Sequence, residues 1–378
     1  MKKICKIIYY SSVFLLFVFL LGNMLNMIPF YGEMAVIYGG SLIHIWVVLA
    51  IILGICAILG LMKCRNKFNI AIGIIAIANI AFCGVMIFRI CNSLKQANID
   101  VNFIRSYYTD NVLDVKNIRE YYEDKNKKKM PINIYTTGDE DEHKPFIIYI
   151  HGGGWISNTL DDNEYTSKIL AKNGYYVASL EYDLSINGKH LWDTVEEQIE
   201  YGVHYLQEKY QLENIYVIGD SAGGNIALNV AYKINFGLYN EVDSKKLPKV
   251  KAVSVNYPVA DPVLFYNNNN NLTKAMAKEM AVSYTGGSPE EYPNRYYAIS
   301  PINFAGENTP PTCIILGKND TLVPPQGTYE FEKQLRNNGV KSKLVAVPYF
   351  IHAGDGFKNN LFNQAYIDLT LKWFKENN

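Results

Sequence analysis

Acidic side chains are almost missing from the first 91 residues, where Glu33 stands alone against Lys2, Lys3, Lys6, Lys63, Arg65, Lys67 and Arg89, a net +6. The rest of the 378-residue chain holds 29 basic and 35 acidic residues, a net −6. The overall charge of zero therefore hides two unlike parts. So little charge over so many residues is a membrane composition rather than a soluble one. Cysteine is scarce beyond it: Cys5, Cys56, Cys64, Cys83 and Cys91 lie in or beside the apolar part, leaving only Cys313. One thiol makes no internal disulfide, so the globular part is not a cystine-stapled scaffold. With no CxxC and no His/Cys cluster, no metal site is expected, and the acidic balance disfavours nucleic acid as a partner.

Long apolar runs fill the charge-poor part: Ile7–Phe30, Met34–Met62 and Phe68–Ile90. Each exceeds the roughly 20 residues that cross a bilayer core as a helix. Three transmembrane helices over residues 1–91 are expected, the first uncleaved because no small-x-small processing site follows it. Lys2, Lys3 and Lys6 at the start and Lys63, Arg65 and Lys67 in the second loop place both of those segments in the cytoplasm. Three spans then put everything after Ile90 on the extracytoplasmic side. His44 has no ionisable partner within the spans and reads as a packing or interfacial histidine rather than a proton path.

Residues 92–130 read as a polar juxtamembrane connector, leading to an edge strand or hairpin around Ile132–Tyr135. Residues 92–143 as a whole are polar and rich in Tyr and Asn, with charged stretches at Tyr121–Lys129 and Asp139–Glu142. The catalytic part is expected over 131–378. There, short apolar runs at Phe146–Ile150, Tyr176–Leu180, Ile215–Ile218, Ala252–Val255, Cys313–Leu316 and Leu344–Val347 alternate with helical patterns near 161–172, 192–210, 222–235, 325–338 and 361–375. That alternation predicts an α/β fold, a mostly parallel sheet covered on both faces. Residues 262–300 break the rhythm and read as an insertion or lid, with Asn267–Asn271 as a solvated loop, then a Lys/Met-rich helical piece and a Gly/Pro/Tyr stretch.

Two motifs at predicted strand ends carry chemistry. Ile215-Tyr-Val-Ile-Gly219-Asp220-Ser221-Ala222-Gly223-Gly224-Asn225 reads strand, sharp turn, helix. Its G-x-S-x-G spacing leaves Ser221 lifted on a turn too tight for side chains two places either side. His151-Gly152-Gly153-Gly154-Trp155 follows Phe146–Ile150, and its glycines leave main-chain N–H groups able to face a developing oxyanion. A nucleophilic serine needs a base, and the base an orienting acid. Among six histidines, His352 alone follows a late strand, while His44 lies in the membrane part, His151 in the glycine motif, His143 ahead of the first core strand, and His190 and His204 in or beside the 192–210 helix. Asp320, after Cys313–Leu316, suits the order Ser, Asp, His; Asp261, after Ala252–Val255, competes. Asp220 reads as structural. Trp155 and the Tyr-rich 284–297 stretch are equally open to lining a site and to packing.

GDSAGGN at 219–225 and HGGGW at 151–155 resemble the signatures of the α/β-hydrolase superfamily, in its hormone-sensitive-lipase-like esterase branch. The likeness covers about residues 130–378 and implies an α/β-hydrolase fold with Ser221 as nucleophile and Asp320 and His352 as its partners. It also implies an oxyanion hole from the N–H groups of Gly153, Gly154 and Ala222, no cofactor, and a His151 that orders the glycine loop. Two departures stand out: Asp183 replaces the arginine of the usual Tyr-Arg-Leu run, and Ala-Gly-Asp-Gly-Phe after His352 is longer than the usual ending.

These features predict a membrane-anchored serine hydrolase cleaving carboxylic esters through an acyl-enzyme. Its expected substrates are small-molecule, lipid or glycan esters, the last including acetylated envelope polysaccharide. An acyltransferase or a peptidase using the same triad, and a non-catalytic scaffold of hydrolase fold, are the alternatives.

Overall fold

The computed structural model describes residues 2–25, 39–138, 145–238 and 247–378. Glu33, Asp139–Glu142, His143 and the facing ends of the first two apolar runs lie outside them. The chain divides into two compact units: Met1–Thr109 with Gly317–Asn319 and Val347–Ala365, and Asp110–Leu316 with Asp320–Ala346 and Tyr366–Asn378.

In the first unit, helices α1 (Lys2–Leu25), α2 (Ile43–Lys63) and α3 (Lys67–Gln96) form the apolar part. Two of them, α2 and α3, are long and apolar enough to cross a membrane, and α1 contributes the shorter apolar stretch Lys6–Gly22. The three pack on one another. Tyr10 Oη donates to Asn69 Oδ1 at 2.9 Å, and buried Asn79 Nδ2 donates to the Val13 carbonyl at 3.2 Å. These polar links tie α1 to α3. Outward-facing Ile51, Ile55, Ile58, Ile74, Ile77 and Phe88 leave an exposed apolar surface, the kind that marks contact with lipid or protein. His44 is the second residue of α2, its ring edge-on to Tyr107 and Phe357. At 30 residues α3 measures about 45 Å, longer than a ~30 Å bilayer core, and it runs past the expected boundary at 91.

The second unit is built on an eight-stranded sheet ordered β1-β2-β4-β3-β5-β6-β7-β8. Its strands are β1 (Lys116–Glu123), β2 (Lys129–Thr136), β3 (Phe146–Ile150), β4 (Tyr176–Leu180), β5 (Asn214–Asp220), β6 (Lys249–Asn256), β7 (Thr312–Gly317) and β8 (Ser342–Val347). β1 and β2 pair antiparallel, as do β2 and β4, while β4-β3-β5-β6-β7 is parallel throughout. Every residue of β3 is buried, as expected of a parallel strand covered on both faces. Helices α4 (Glu164–Lys172), α5 (Val195–Tyr210) and α6 (Ala222–Phe236) connect these strands, α6 packing on β3, β5 and β6.

Three expectations change here. The stretch 92–130, read as connector, contains β1, so the sheet begins before residue 131. The charged run Tyr121–Lys129 is a hairpin: Asp124 Oδ1 accepts from the N–H groups of Asn126 and Lys128, both at 2.9 Å, and closes its tip. The third lies within 262–300, which holds α7 (Pro262–Tyr266), α8 (Lys274–Thr285) and α9 (Pro293–Ala298), α8 being the expected Lys/Met-rich helical piece. Asn268 within it is buried rather than solvated. Its Nδ2 donates to the carbonyls of Thr321 and Leu322 at 2.8 and 2.9 Å, an arrangement no local composition signals. Helices α10 (Pro325–Asn337) and α11 (Leu361–Glu376) complete the chain.

Candidate active site

Ser221 sits between the end of β5 and the start of α6 with φ 53° and ψ −119°, outside the regions an ordinary L-residue prefers. The surrounding main chain enforces that strain. Ser221 N–H donates to the Asn256 carbonyl at 2.9 Å, and the Val259 and Asn225 N–H groups donate to its carbonyl. Its flanking glycines have no room for a side chain: a Cβ at Gly219 would lie 2.4 Å from the Gly223 carbonyl oxygen, and one at Gly223 2.2 Å from that of His151. Ser221 is partly exposed although its neighbours in α6 are buried.

The glycine loop abuts this turn, since a Cβ on Gly152 would stand 3.3 Å from that of Ser221. Gly153 and Gly154 take φ of 115° and 60°, and Trp155 follows at 62°. The N–H groups of Gly153, Gly154 and Ala222 donate to no main-chain carbonyl among the described residues, which leaves them available to a ligand oxygen. His151 is fully buried, with Nδ1 2.8 Å from the Gly152 carbonyl and Nε2 2.9 Å from Glu181 Oε1. Both nitrogens being engaged, this ring orders the loop. Glu181 also accepts from Leu160 N–H at 3.2 Å. Tyr182 stacks on His151 at 4.2 Å between centroids and donates its hydroxyl to the His151 carbonyl at 2.9 Å. Glu181 and Tyr182 were not identified from sequence as loop supports. Their position just after β4, the strand beside β3, is the signal that finds them.

Trp155 is 1% exposed and stacked on buried Tyr284 at 4.6 Å. With Met280 Sδ 2.5 Å from where a Gly154 Cβ would be, α8 buttresses the glycine loop, and these two aromatics are packing. Tyr292 and Tyr297 of the Tyr-rich stretch are exposed.

Asp320 is buried after β7, its Oδ1 accepting from Leu322 and Val323 N–H at 2.9 Å each. Asp261, its competitor, caps α7 by accepting from Leu264 N–H at 2.9 Å. Asp220 accepts from Tyr149 Oη at 2.7 Å and Asn163 Nδ2 at 2.8 Å, a structural role. His352, partly exposed, follows β8 in the segment Val347–Ala365 and belongs to the unit that holds the N-terminal helices. Ser221, the glycine loop and Asp320 belong to the other. Asp183, in place of the arginine, is bound by Lys128 Nζ and by Gln198 Nε2, the latter at 3.0 Å. Burial works to raise its carboxyl, but those hydrogen bonds and the lysine charge hold it below the ordinary carboxylate range. Among the described residues no three His, Cys, Asp or Glu side chains are grouped to hold a metal ion.

One protein-family model, described as BD-FAE, matches residues 132–335, more than half of the chain. A protein of Acanthamoeba polyphaga mimivirus named for the alpha/beta hydrolases is 29% identical over 243 residues, covering 60% of this chain and 66% of that one. Probable carboxylesterase 1 of Arabidopsis thaliana is 26% identical over 164 residues, 40% of this chain and 46% of its own. The chain thus spans only part of the length of these relatives. Carboxyl esterase 2 of Tuber melanosporum superposes with a TM-score of 0.57 at 22% identity, over 70% of this chain and 88% of that one. A likeness at that identity is one of fold.

Proposed function

The chain belongs to the BD-FAE family and has the α/β-hydrolase fold, and on that premise we propose that it is a membrane-anchored serine hydrolase cleaving carboxylic esters. The observation that carries the reading is Ser221 on a strained, partly exposed turn beside a glycine loop with free N–H groups. Ser221 attacks the ester carbonyl while His352 accepts its proton. The N–H groups of Gly153, Gly154 and Ala222 take the charge of the tetrahedral oxyanion. His352 then protonates the departing alcohol, and water activated by the same imidazole releases the acyl group. Asp320 holds the imidazole's tautomer and offsets its charge. In the full-length protein, Ser221→Ala is expected to lower hydrolysis of p-nitrophenyl acetate by about four orders of magnitude or more and to abolish fluorophosphonate labelling. Wild-type turnover in the variant would remove Ser221 as nucleophile.

We read α1 as a third span beside α2 and α3, with the hydrolase part extracytoplasmic. Lys63, Arg65 and Lys67 at the α2–α3 turn support this orientation, and it gives the enzyme esters of lipids or envelope glycans as substrates. A cysteine at Leu113, which is 92% exposed, is expected to react with a membrane-impermeant maleimide on intact cells. Reaction only after permeabilisation would reverse the orientation.

A further inference from the structure

The turn that carries His352 is strained on both sides: Tyr349 has φ 66° and Ala353 φ 53°. Bulky or β-carbon-bearing residues stay in that region only when their surroundings hold them there. Here part of the hold comes from the apolar helices, within the same compact unit. Gly40 N–H, just ahead of α2, donates to the Tyr349 carbonyl at 2.9 Å. Arg89 Nη1, near the end of α3, donates to Tyr349 Oη at 2.8 Å. Buried Ser41 Oγ donates to the Gly354 carbonyl at 3.4 Å, where Asn360 Nδ2 also donates at 2.6 Å. Gly40 approaches so closely that a Cβ on it would lie 2.4 Å from the Tyr349 carbonyl oxygen. The start of α2 and the end of α3 are the same end of one helical hairpin, so the turn is braced from both of its arms. Gly354 lies in the lengthened stretch after His352, so that departure from the esterase pattern supplies one of the acceptors.

We propose that the membrane anchor is part of the catalytic apparatus: Gly40, Ser41 and Arg89 are positioning residues that fix the Tyr349–Gly354 turn and with it the His352 imidazole. This rests on the reading of His352 as the general base. An imidazole displaced by about 1 Å costs rate far more than affinity. A chain severed between the helices and the sheet keeps Ser221 and its glycine loop but loses this brace on its base.

The test uses the full chain in detergent or nanodiscs, comparing Gly40→Ala, Arg89→Met, Arg89→Lys and the near-isosteric Tyr349→Phe with Gly60→Ala. Gly60 lies toward the other end of α2 with nothing within 4 Å of its would-be Cβ. Gly40→Ala and Arg89→Met are each expected to lower kcat about 10- to 100-fold, with KM changed less than about twofold and fluorophosphonate labelling of Ser221 slowed in parallel. Tyr349→Phe should match Arg89→Met, the pair combined should be no worse than either alone, and Arg89→Lys should recover most of kcat. Gly60→Ala should behave as wild type. Unchanged kcat in Gly40→Ala and Tyr349→Phe overturns the proposal, as does a loss shared equally by Gly60→Ala. A wild-type protein that neither hydrolyses esters nor labels at Ser221 overturns the hydrolase reading itself, a result distinct from an active wild type indifferent to these substitutions.

Discussion

The Ser221 turn and the His352 turn meet the same requirement by different means. Each carries a side chain proposed to act in catalysis on a backbone that an L-residue resists, with φ of 53° at Ser221 and of 66° and 53° at Tyr349 and Ala353. At Ser221 main chain presses on main chain. Gly219 packs on the Gly223 carbonyl, Gly223 on the His151 carbonyl, and Asn256 and Val259 hydrogen-bond the serine's own peptide groups. At His352 several constraints come from residues more than 250 positions earlier in the chain, Gly40, Ser41 and Arg89. A turn locked by the main chain of adjacent strand ends tolerates drift in the surrounding side chains as long as its glycines stay. A turn braced from elsewhere ties its function to the segment that braces it.

The sharpest way to break this comparison is at Gly223. A methyl group there would lie 2.2 Å from the His151 carbonyl oxygen and 2.3 Å from that of Ile150, both main-chain atoms of the neighbouring strand end. Neither can swing aside, so the Ser221 turn and the glycine loop must separate. Gly223→Ala is expected to lower kcat at least about 100-fold in whatever protein folds, measured per mole of protein in the monomeric peak of a sizing column. Near-normal turnover would mean that the serine turn is no more rigid than the histidine turn, and the contrast between them would be lost.

The same contrast explains what could be read from the chain in advance. Strands Phe146–Ile150 and Tyr176–Leu180 and the Ser221 turn are short-range patterns: an apolar run, glycines at fixed offsets, then a helix former. The structure has β3 and β4 over those same residues and lengthens the other predicted strands by a few residues at their ends. What escaped was nonlocal. β1 hides in Lys116–Glu123 because an exposed edge strand pairs on one side only and carries charge without cost. Asn268, one of five consecutive asparagines, is buried because two carbonyls some 50 residues later need its amide. Glu181 matters because β4 lies beside β3, which the spacing of glycines cannot reveal.

Asp183 sharpens the comparison at its weak end, as a half-exposed contact whose partners lie in α5 and the β1–β2 hairpin rather than in either turn. It joins α5 to the β1–β2 hairpin through Gln198, which also donates to Asp124 Oδ2 at 3.1 Å, and through Lys128. A carboxyl held below its ordinary range in the folded protein stabilises the fold fully above its unfolded pKa, near 4. It loses that contribution as pH falls through the lower, folded value. Asp183→Asn is therefore expected to lower the thermal midpoint by a few degrees at pH 7, in keeping with a half-exposed pair worth about 1 kcal/mol or less. The gap from wild type should narrow below about pH 4, and kcat at pH 7 should stay within about twofold because its partners belong to neither the Ser221 nor the His352 turn. A gap that widens in acid would reverse the assigned direction. A large fall in kcat would show that a half-exposed contact outside both turns can govern the site, leaving direct bracing of a turn no longer the property that separates the His352 brace from ordinary surface pairing.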